Sequence, residues 1–236
     1  MKDKHVIKKQ NIRLFVRGFL VFLFLIVIFA LAYKYLEIGK IENNPKLAEL
    51  EKSLQEIRSS MNIDSIRQYN IQKVMKIIGR YNKTMPSGVK YNIAEEIYEL
   101  STKYNNLDVD LICATITFES GGTWEPEIVS DAGAIGLMQI LPATSIWVAY
   151  YEGITWTSAE DVLYNPIYNI RLGCRELSTF IDYYGLKGGL AAFCGGEKQA
   201  AVWVANDKSD EILMAETTDF IPQVLVLYKE FKSFSM

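Results

Sequence analysis

Apolar residues recur every three or four positions along most of the chain, the period of helices that bury one face. Leu47, Leu50, Leu54 and Ile57 form one such run, and Ile63, Ile66, Val74, Ile77, Ile78 and Tyr81 resume it after Asn62. Together they predict one or two helices between Asn43 and Pro86. "TMPSGV" at Thr84 to Val89 breaks the pattern, because Pro and Gly interrupt helices. From Ile93 a body begins: Ile93, Ile97 and Leu100 share a stripe, and Asn105 to Asp108 supplies a turn and a cap. Further helices are predicted at Val109 to Glu119, Pro142 to Tyr151, Pro166 to Tyr184, Gly188 to Ala192, Gln199 to Val204 and Thr218 to Phe234. No segment alternates with period two between hairpin turns, so the body is mostly α.

One stretch follows a different rule. Gly18 to Tyr33 is uncharged and rich in Leu, Phe, Val and Ile, and six basic residues (Lys2, Lys4, Lys8, Lys9, Arg13, Arg17) precede it against a single acid, Asp3. Apolar runs with a basic flank insert into membranes with that flank in the cytoplasm. The expectation is a transmembrane signal anchor over residues 18–38 behind a basic cytoplasmic tail, 1–17. Ala30-Leu31-Ala32 has the small-x-small form of a cleavage site, which would make the segment a removable signal peptide instead. Either outcome places the rest of the chain outside the cytoplasm. A helical stalk over 39–90, or alternatively a satellite helix there that packs on the body, and a catalytic body over 91–236 complete the expected organisation.

Composition removes several function classes. Half of the 236 residues are apolar and 22% are charged, which is the make-up of a folded protein. The formal charge of -3, with its basic residues concentrated at the N-terminus, argues against a phosphate-backbone partner, so no nucleic acid is expected. The single histidine is His5, on the basic tail, so a Cys/His metal cluster or a His-dependent catalytic triad cannot be assembled in the body. Cys113, Cys174 and Cys194 allow at most one disulfide. Carboxylates, hydroxyls and backbone remain as the chemistry.

Glu119 stands out among the carboxylates. It ends the stripe Ile112, Thr115 or Ile116, Glu119, so its carboxyl is expected to be held partly out of water. Desolvation disfavours the charged form and raises a carboxyl's pKa, which suits a proton donor near neutral pH. The following "SDAGAIGLMQ" has Gly133 and Gly136 for close backbone approach, Leu137 and Met138 as apolar surface, and the two-sided amide of Gln139. That mix fits an extended carbohydrate.

The order of these motifs resembles the soluble-lytic-transglycosylase-type (SLT) domain, which belongs with the goose-type lysozyme fold. The resemblance rests on Glu119-Ser120, Trp124-Glu125-Pro126 and "SDAGAIGLMQILPAT". It continues through "YNPIYNIRLGCRELSTFID" (Asn165, Pro166, Asn169, Ile170, Gly173, Leu177), "LAAFCGG" (Leu190 to Gly196) and "ETTDFIPQVL" (Glu216 to Leu225). It implies a lysozyme-like α-helical domain with Glu119 as the catalytic glutamate and Ser130 assisting at the cleavage site. Met138 and Gln139 take glycan-contacting positions, and Phe193, Cys194 and Phe220 fall at substrate-facing ones. There are three departures. Gly121 and Gly122 lengthen the loop after Glu119, the usual Ala-Tyr-Asn-Ala-Gly is Ala192-Phe193-Cys194-Gly195-Gly196, and the last block's tyrosine is Phe220.

The implied reaction needs neither metal nor cofactor. Glu119 would protonate the glycosidic oxygen between N-acetylmuramic acid and N-acetylglucosamine. As a carboxylate it would then deprotonate the sugar's own C6 hydroxyl, closing a 1,6-anhydro ring. The partner is the glycan strand of peptidoglycan, met on the extracytoplasmic side of the inner membrane. Two other readings compete: a hydrolytic muramidase on the same fold, with Asp131 or Glu127 positioning water, and a glycan-binding module of an envelope assembly, weakened by the missing tyrosines.

Overall fold

The computed structural model describes residues 20–34, 45–209 and 211–234. Residues 20–34 form helix α1, and their apolar side chains, Phe22, Phe24 and Phe29 among them, are exposed. At 1.5 Å per residue this helix is roughly 22 Å long, short of the ~30 Å hydrocarbon layer. Among the described residues no helix is long and apolar enough to cross a membrane. The expected anchor over 18–38 therefore runs past the described residues at both ends, and the structure does not show a span.

Seven longer helices and one short one follow: α2 Pro45–Tyr81, α3 Ser87–Lys103, α4 Val109–Glu119, α5 Pro142–Tyr151, α6 Ala159–Leu163, α7 Pro166–Gly195, α8 Glu197–Ala205 and α9 Ala215–Ser233. Among the described residues the extended structure consists of isolated bridges, Val129 with Ile135 and Ile135 with Ile140. The chain divides into two compact units, 1–63 and 64–236. In the first, Leu50, Leu54 and Ile57 of α2 are exposed, so the apolar repeat there is not covered by the rest of that unit. The second unit starts well before residue 91. Ile71, Val74, Ile77 and Ile78 of α2 belong to its core, together with Ile97, Ile112 and Phe231. The break at Thr84 to Val89 is thus a turn inside the body, and the continuous apolar period of α2 hides where packing begins.

Helix α4 is the central element of this unit. Every residue from Val109 to Thr117 is buried, and the helix packs against α3 and α9. Asp108 caps its start, accepting from the Leu111 N–H at 2.8 Å. Gly121 and Gly122 end it, at φ of 60° and 74°, and the Gly122 N–H reaches back to the Thr117 carbonyl at 2.8 Å. Two successive left-handed residues are a helix stop that glycine adopts freely. The two residues that lengthen the loop after Glu119 are therefore what fixes it at a helix end.

The long α7 touches α3, α5, α6, α8 and α9. It bends at Gly185, where φ is 70°, matching the two helices expected on either side of that point. The short α6 carries no apolar period long enough to read from sequence; its Ser158 cap accepts from the Asp161 N–H at 3.0 Å. A buried ion pair ties α2 to α4, with Lys73 Nζ 2.6 Å from Asp110 Oδ1 and both side chains almost enclosed. Removing one partner of such a pair leaves a charge without compensation. Lys73→Met is expected to destabilise this unit by about 3 kcal/mol in urea unfolding, within the range for broken buried pairs. A loss under about 1 kcal/mol, the range of exposed pairs, would show that the pair is solvated.

Candidate active site

Glu119 is the last residue of α4, partly buried beneath the C-terminus of α7 and the start of α9. Its neighbour Phe118 meets Phe220 of α9 edge to face, with ring centroids 5.0 Å apart. Among the described residues the Glu119 carboxyl has no hydrogen-bond or ion-pair partner. Burial, and secondarily the negative charge of Glu216, push its pKa up to about 8. A carboxyl of this kind is protonated at neutral pH and becomes a competent base once it has given its proton away.

Three residues of α7 and α9 complete the surroundings. Cys194 is half-buried, hydrogen-bonded with Thr217, and its thiol is pushed up to about 12 by burial and by the nearby charge of Glu119. Thr217 is buried against Gly195, where a Cβ would come within 2.5 Å of the Thr217 Oγ1. The glycine at 195 is thus what lets α9 approach α7 beside the acid. Glu216 and Thr217 were not among the expected site residues. Their signal lies only in the "ET" that opens the last block, since nothing in a linear sequence places residue 216 beside residue 119. Because burial is the larger cause, Glu216→Gln is expected to lower the Glu119 pKa while leaving it above 4.5, its ordinary value. The alkaline limb of kcat/KM should then move to lower pH. An unmoved limb would mean that the Glu216 charge is screened from Glu119.

The loop from Ile128 to Leu141 is built separately. Its bridges are closed by reciprocal Ile135 and Ile140 backbone hydrogen bonds of 3.0 and 2.9 Å, and by Gly136 N–H to the Ile128 carbonyl at 2.8 Å. Ser130 holds the turn, its hydroxyl accepting from the Ala134 N–H at 3.1 Å. Gln139 sits at a φ of 49°, and its Nε2 donates to the Gly136 carbonyl at 2.9 Å. Underneath, the fully buried Asn169 of α7 accepts from the Met138 N–H at 2.8 Å and donates to the carbonyls of Ile135 and Leu163 at 2.8 and 3.0 Å. Gly136 has no room for a side chain, since a Cβ there would lie 2.6 Å from the Leu163 carbonyl oxygen and against Asn169.

The expected site residues thus divide into two groups. Glu119 and Cys194 come together, with Phe220 one ring away; Phe193 is half-buried against the core. Met138 differs from expectation: its side chain is wholly buried, pressed against Gly173 and Cys174. The exposed apolar side chains of the loop are Val129 and Leu141, 49% and 45% accessible. Phe220 is likewise wholly buried, so its part is to pack Phe118 rather than to meet a ligand. The resemblance marked both positions, but which apolar side chain turns inward depends on the partner elements. Asp131, Glu125 and Glu127 are exposed. A second desolvated carboxyl, Glu176 of α7, is pushed up to about 7 by burial and lies one turn beyond Gly173. No disulfide joins the three cysteines.

The body is helical, with one desolvated carboxyl, Glu119, at the end of its buried central helix and another, Glu176, on α7. The transglycosylase SLT domain model matches residues 97–214, and the chain belongs to that family. The transglycosylase of Enterobacteria phage PRD1 is 37% identical over 116 residues, covering 49% of this chain and 38% of that protein. An endo-type membrane-bound lytic murein transglycosylase A of Klebsiella pneumoniae is 43% identical over 74 residues, covering 30% of this chain and 35% of that protein. The chain therefore spans less than two fifths of the length of these relatives. The crystal structure of an inactive mutant of the lytic transglycosylase Slt from Pseudomonas aeruginosa superposes with a TM-score of 0.50 at 23% identity, over 58% of this chain and 23% of that one, which establishes likeness of fold.

Proposed function

We propose that the protein is a peptidoglycan lytic transglycosylase in which Glu119 serves first as acid and then as base. The observation that carries this reading is the Glu119 carboxyl, raised to about 8 by burial and free of any cation that would hold it ionised. At neutral pH it gives a proton to the glycosidic oxygen between N-acetylmuramic acid and N-acetylglucosamine. The carboxylate left behind is poorly solvated and therefore a strong base. It takes the proton of the sugar's C6 hydroxyl, and that oxygen closes the 1,6-anhydro ring. One group suffices because the nucleophile belongs to the substrate, unlike the two-carboxylate arrangements that activate water. Met138 and Asn169 hold the loop that presents Gln139 and Leu141 to the glycan, and Ser130 fixes its turn.

In the same reading the basic segment 1–17 and the apolar segment 18–38 tether the chain to the inner membrane with the catalytic body outside the cytoplasm. Supporting it are the uncharged run from Gly18 to Tyr33 and a relative named as membrane-bound. The test is the mass of the products released from purified peptidoglycan. Ends lighter by one water than those left by a hydrolase are expected, since the attacking oxygen belongs to the sugar. Reducing-end muramic acid would replace this reading with a muramidase that uses Asp131 or Glu127.

A further inference from the structure

Helix α5 breaks the rule that the outer face of a surface helix is polar. Its inner face, Ser145 and Ala149, is buried, and the helix packs against α7. Its outer face carries Ile146, Trp147, Tyr150 and Tyr151, which are 47%, 72%, 75% and 67% exposed. At spacings of three and four these side chains share one stripe, and no residue from Ala132 to Tyr151 is charged. The hydroxyls of the first turn do not make the face polar, because Thr144 and Ser145 both donate to the Leu141 carbonyl at 3.1 Å. Glu152, the first acid beyond the stripe, is held by Lys103 Nζ and Arg175 Nη1, each at 2.7 Å. The same Arg175 guanidinium lies over the Tyr151 ring, 5.4 Å from its centroid, and Tyr151 meets Tyr150 edge to face at 5.6 Å. The stripe is thus an ordered aromatic surface whose neighbouring acid is neutralised.

What covers such a face follows from its size and chemistry. Ten residues give a helix face roughly 15 Å long and about 10 Å wide, a small part of the roughly 800 Å² per partner that a stable protein interface buries. A second copy of this chain, or another protein, finds too little here. A glycan strand can stack its rings on aromatics but also needs placed polar side chains for its hydroxyls, and the outer face offers no amide or charge. The lipid–water boundary needs neither. Trp and Tyr gather there because each ring has an apolar body and a polar tip. A tethered chain also meets that boundary at high effective concentration, so a small contact suffices. We infer that the outer face of α5 docks on the surface of the phospholipid bilayer, with Trp147 and Tyr150 at headgroup level. The inference rests on the proposed tether at residues 18–38 and adds a second contact with the same membrane, made by the catalytic body. Because the Ile128–Leu141 loop runs directly into α5, docking holds that loop next to the lipid surface.

Tryptophan emission tests this without a label. Segment 18–38 holds no Trp, and of the four in the chain Trp124 and Trp203 are buried and Trp156 is half-buried, which leaves Trp147 as the exposed one. Full-length chain is reconstituted into phosphatidylcholine vesicles whose acyl chains are either ordinary or brominated, bromine quenching only rings that touch lipid. Brominated lipid should quench the wild type, Trp147→Phe should abolish that quenching, and Tyr150→Ser, which leaves the fluorophore in place, should reduce it. Since the stripe is uncharged, quenching should survive high salt, which screens attraction between charges. Equal emission in the two lipids from vesicle-bound chain would overturn the docking and leave the tether standing, and quenching that persists in Trp147→Phe would overturn it as well. A Trp147 signal that ignores bromine but responds to peptide-free glycan strands would make the stripe a sugar platform instead. One that changes only with protein density in the vesicle would make it a contact between copies. Chain that does not float with the vesicles at all would sink the tether and the docking together.

Discussion

Glu119→Gln is expected to reduce turnover of purified peptidoglycan by roughly 10²- to 10⁴-fold, or more if proton donation and proton removal both depend on this group. The amide keeps the size of the carboxyl but cannot transfer the proton, and no other acid is charge-coupled to Glu119 except the exposed Glu216. Retained turnover would remove Glu119 from the chemistry. The same variant has a second readout that needs no substrate. A carboxyl whose folded pKa is raised from 4.5 to about 8 contributes stability that is fully present below about 4.5 and is lost as pH rises through about 8. Glutamine has no charge to desolvate. Wild type and variant should therefore have similar Tm near pH 4, and the variant should become the more stable by a few kcal/mol by pH 9. A constant difference across that range would show that the carboxyl is hydrated in the folded state.

Asn169→Leu is expected to destabilise the body more than loss of the buried Lys73 charge does. Leucine is close in volume, so the loss would come from polar groups: the Met138 N–H and the carbonyls of Ile135 and Leu163 would be left buried without their partner. At roughly 1–3 kcal/mol per orphaned group, the sum is of the order of 3–9 kcal/mol, enough to unfold a domain of ordinary stability. Asn169→Asp separates this from simple loss of volume, because it keeps the acceptor for Met138 but loses the two donated bonds. Chemical denaturation should rank wild type above Asp and Leu. A loss below about 1 kcal/mol for Leu would mean that water replaces the amide in the loop.

Asn169 illustrates where sequence reading stops. Its place in a recognisable motif was visible, yet its task of carrying backbone groups of a loop far back along the chain was not, because hydrogen bonds across such a separation leave no periodic trace. Met138 and Leu141 illustrate the same limit. Both are apolar residues in one short run, and only packing against Gly173 and Cys174 decides that Met138 turns inward and Leu141 outward.

By itself the sequence determined the helical class, the extent of α4 and α5, the capping of α4 by Asp108, and Glu119 as the carboxyl at the end of an apolar stripe. These are local properties, set by a 3.6-residue period, by cap chemistry and by glycines that accept left-handed angles. Only the tertiary structure decided that the body starts near Asp64 rather than after the Pro86 break, since burial of Ile71, Val74, Ile77 and Ile78 depends on partners far along the chain. It alone brought Glu216 and Thr217 to the surroundings of Glu119 and Cys194. The reason is physical: a pKa near 8 is a property of everything that excludes water and places charge around one carboxyl, and those groups come from three helices that meet only when the chain is folded.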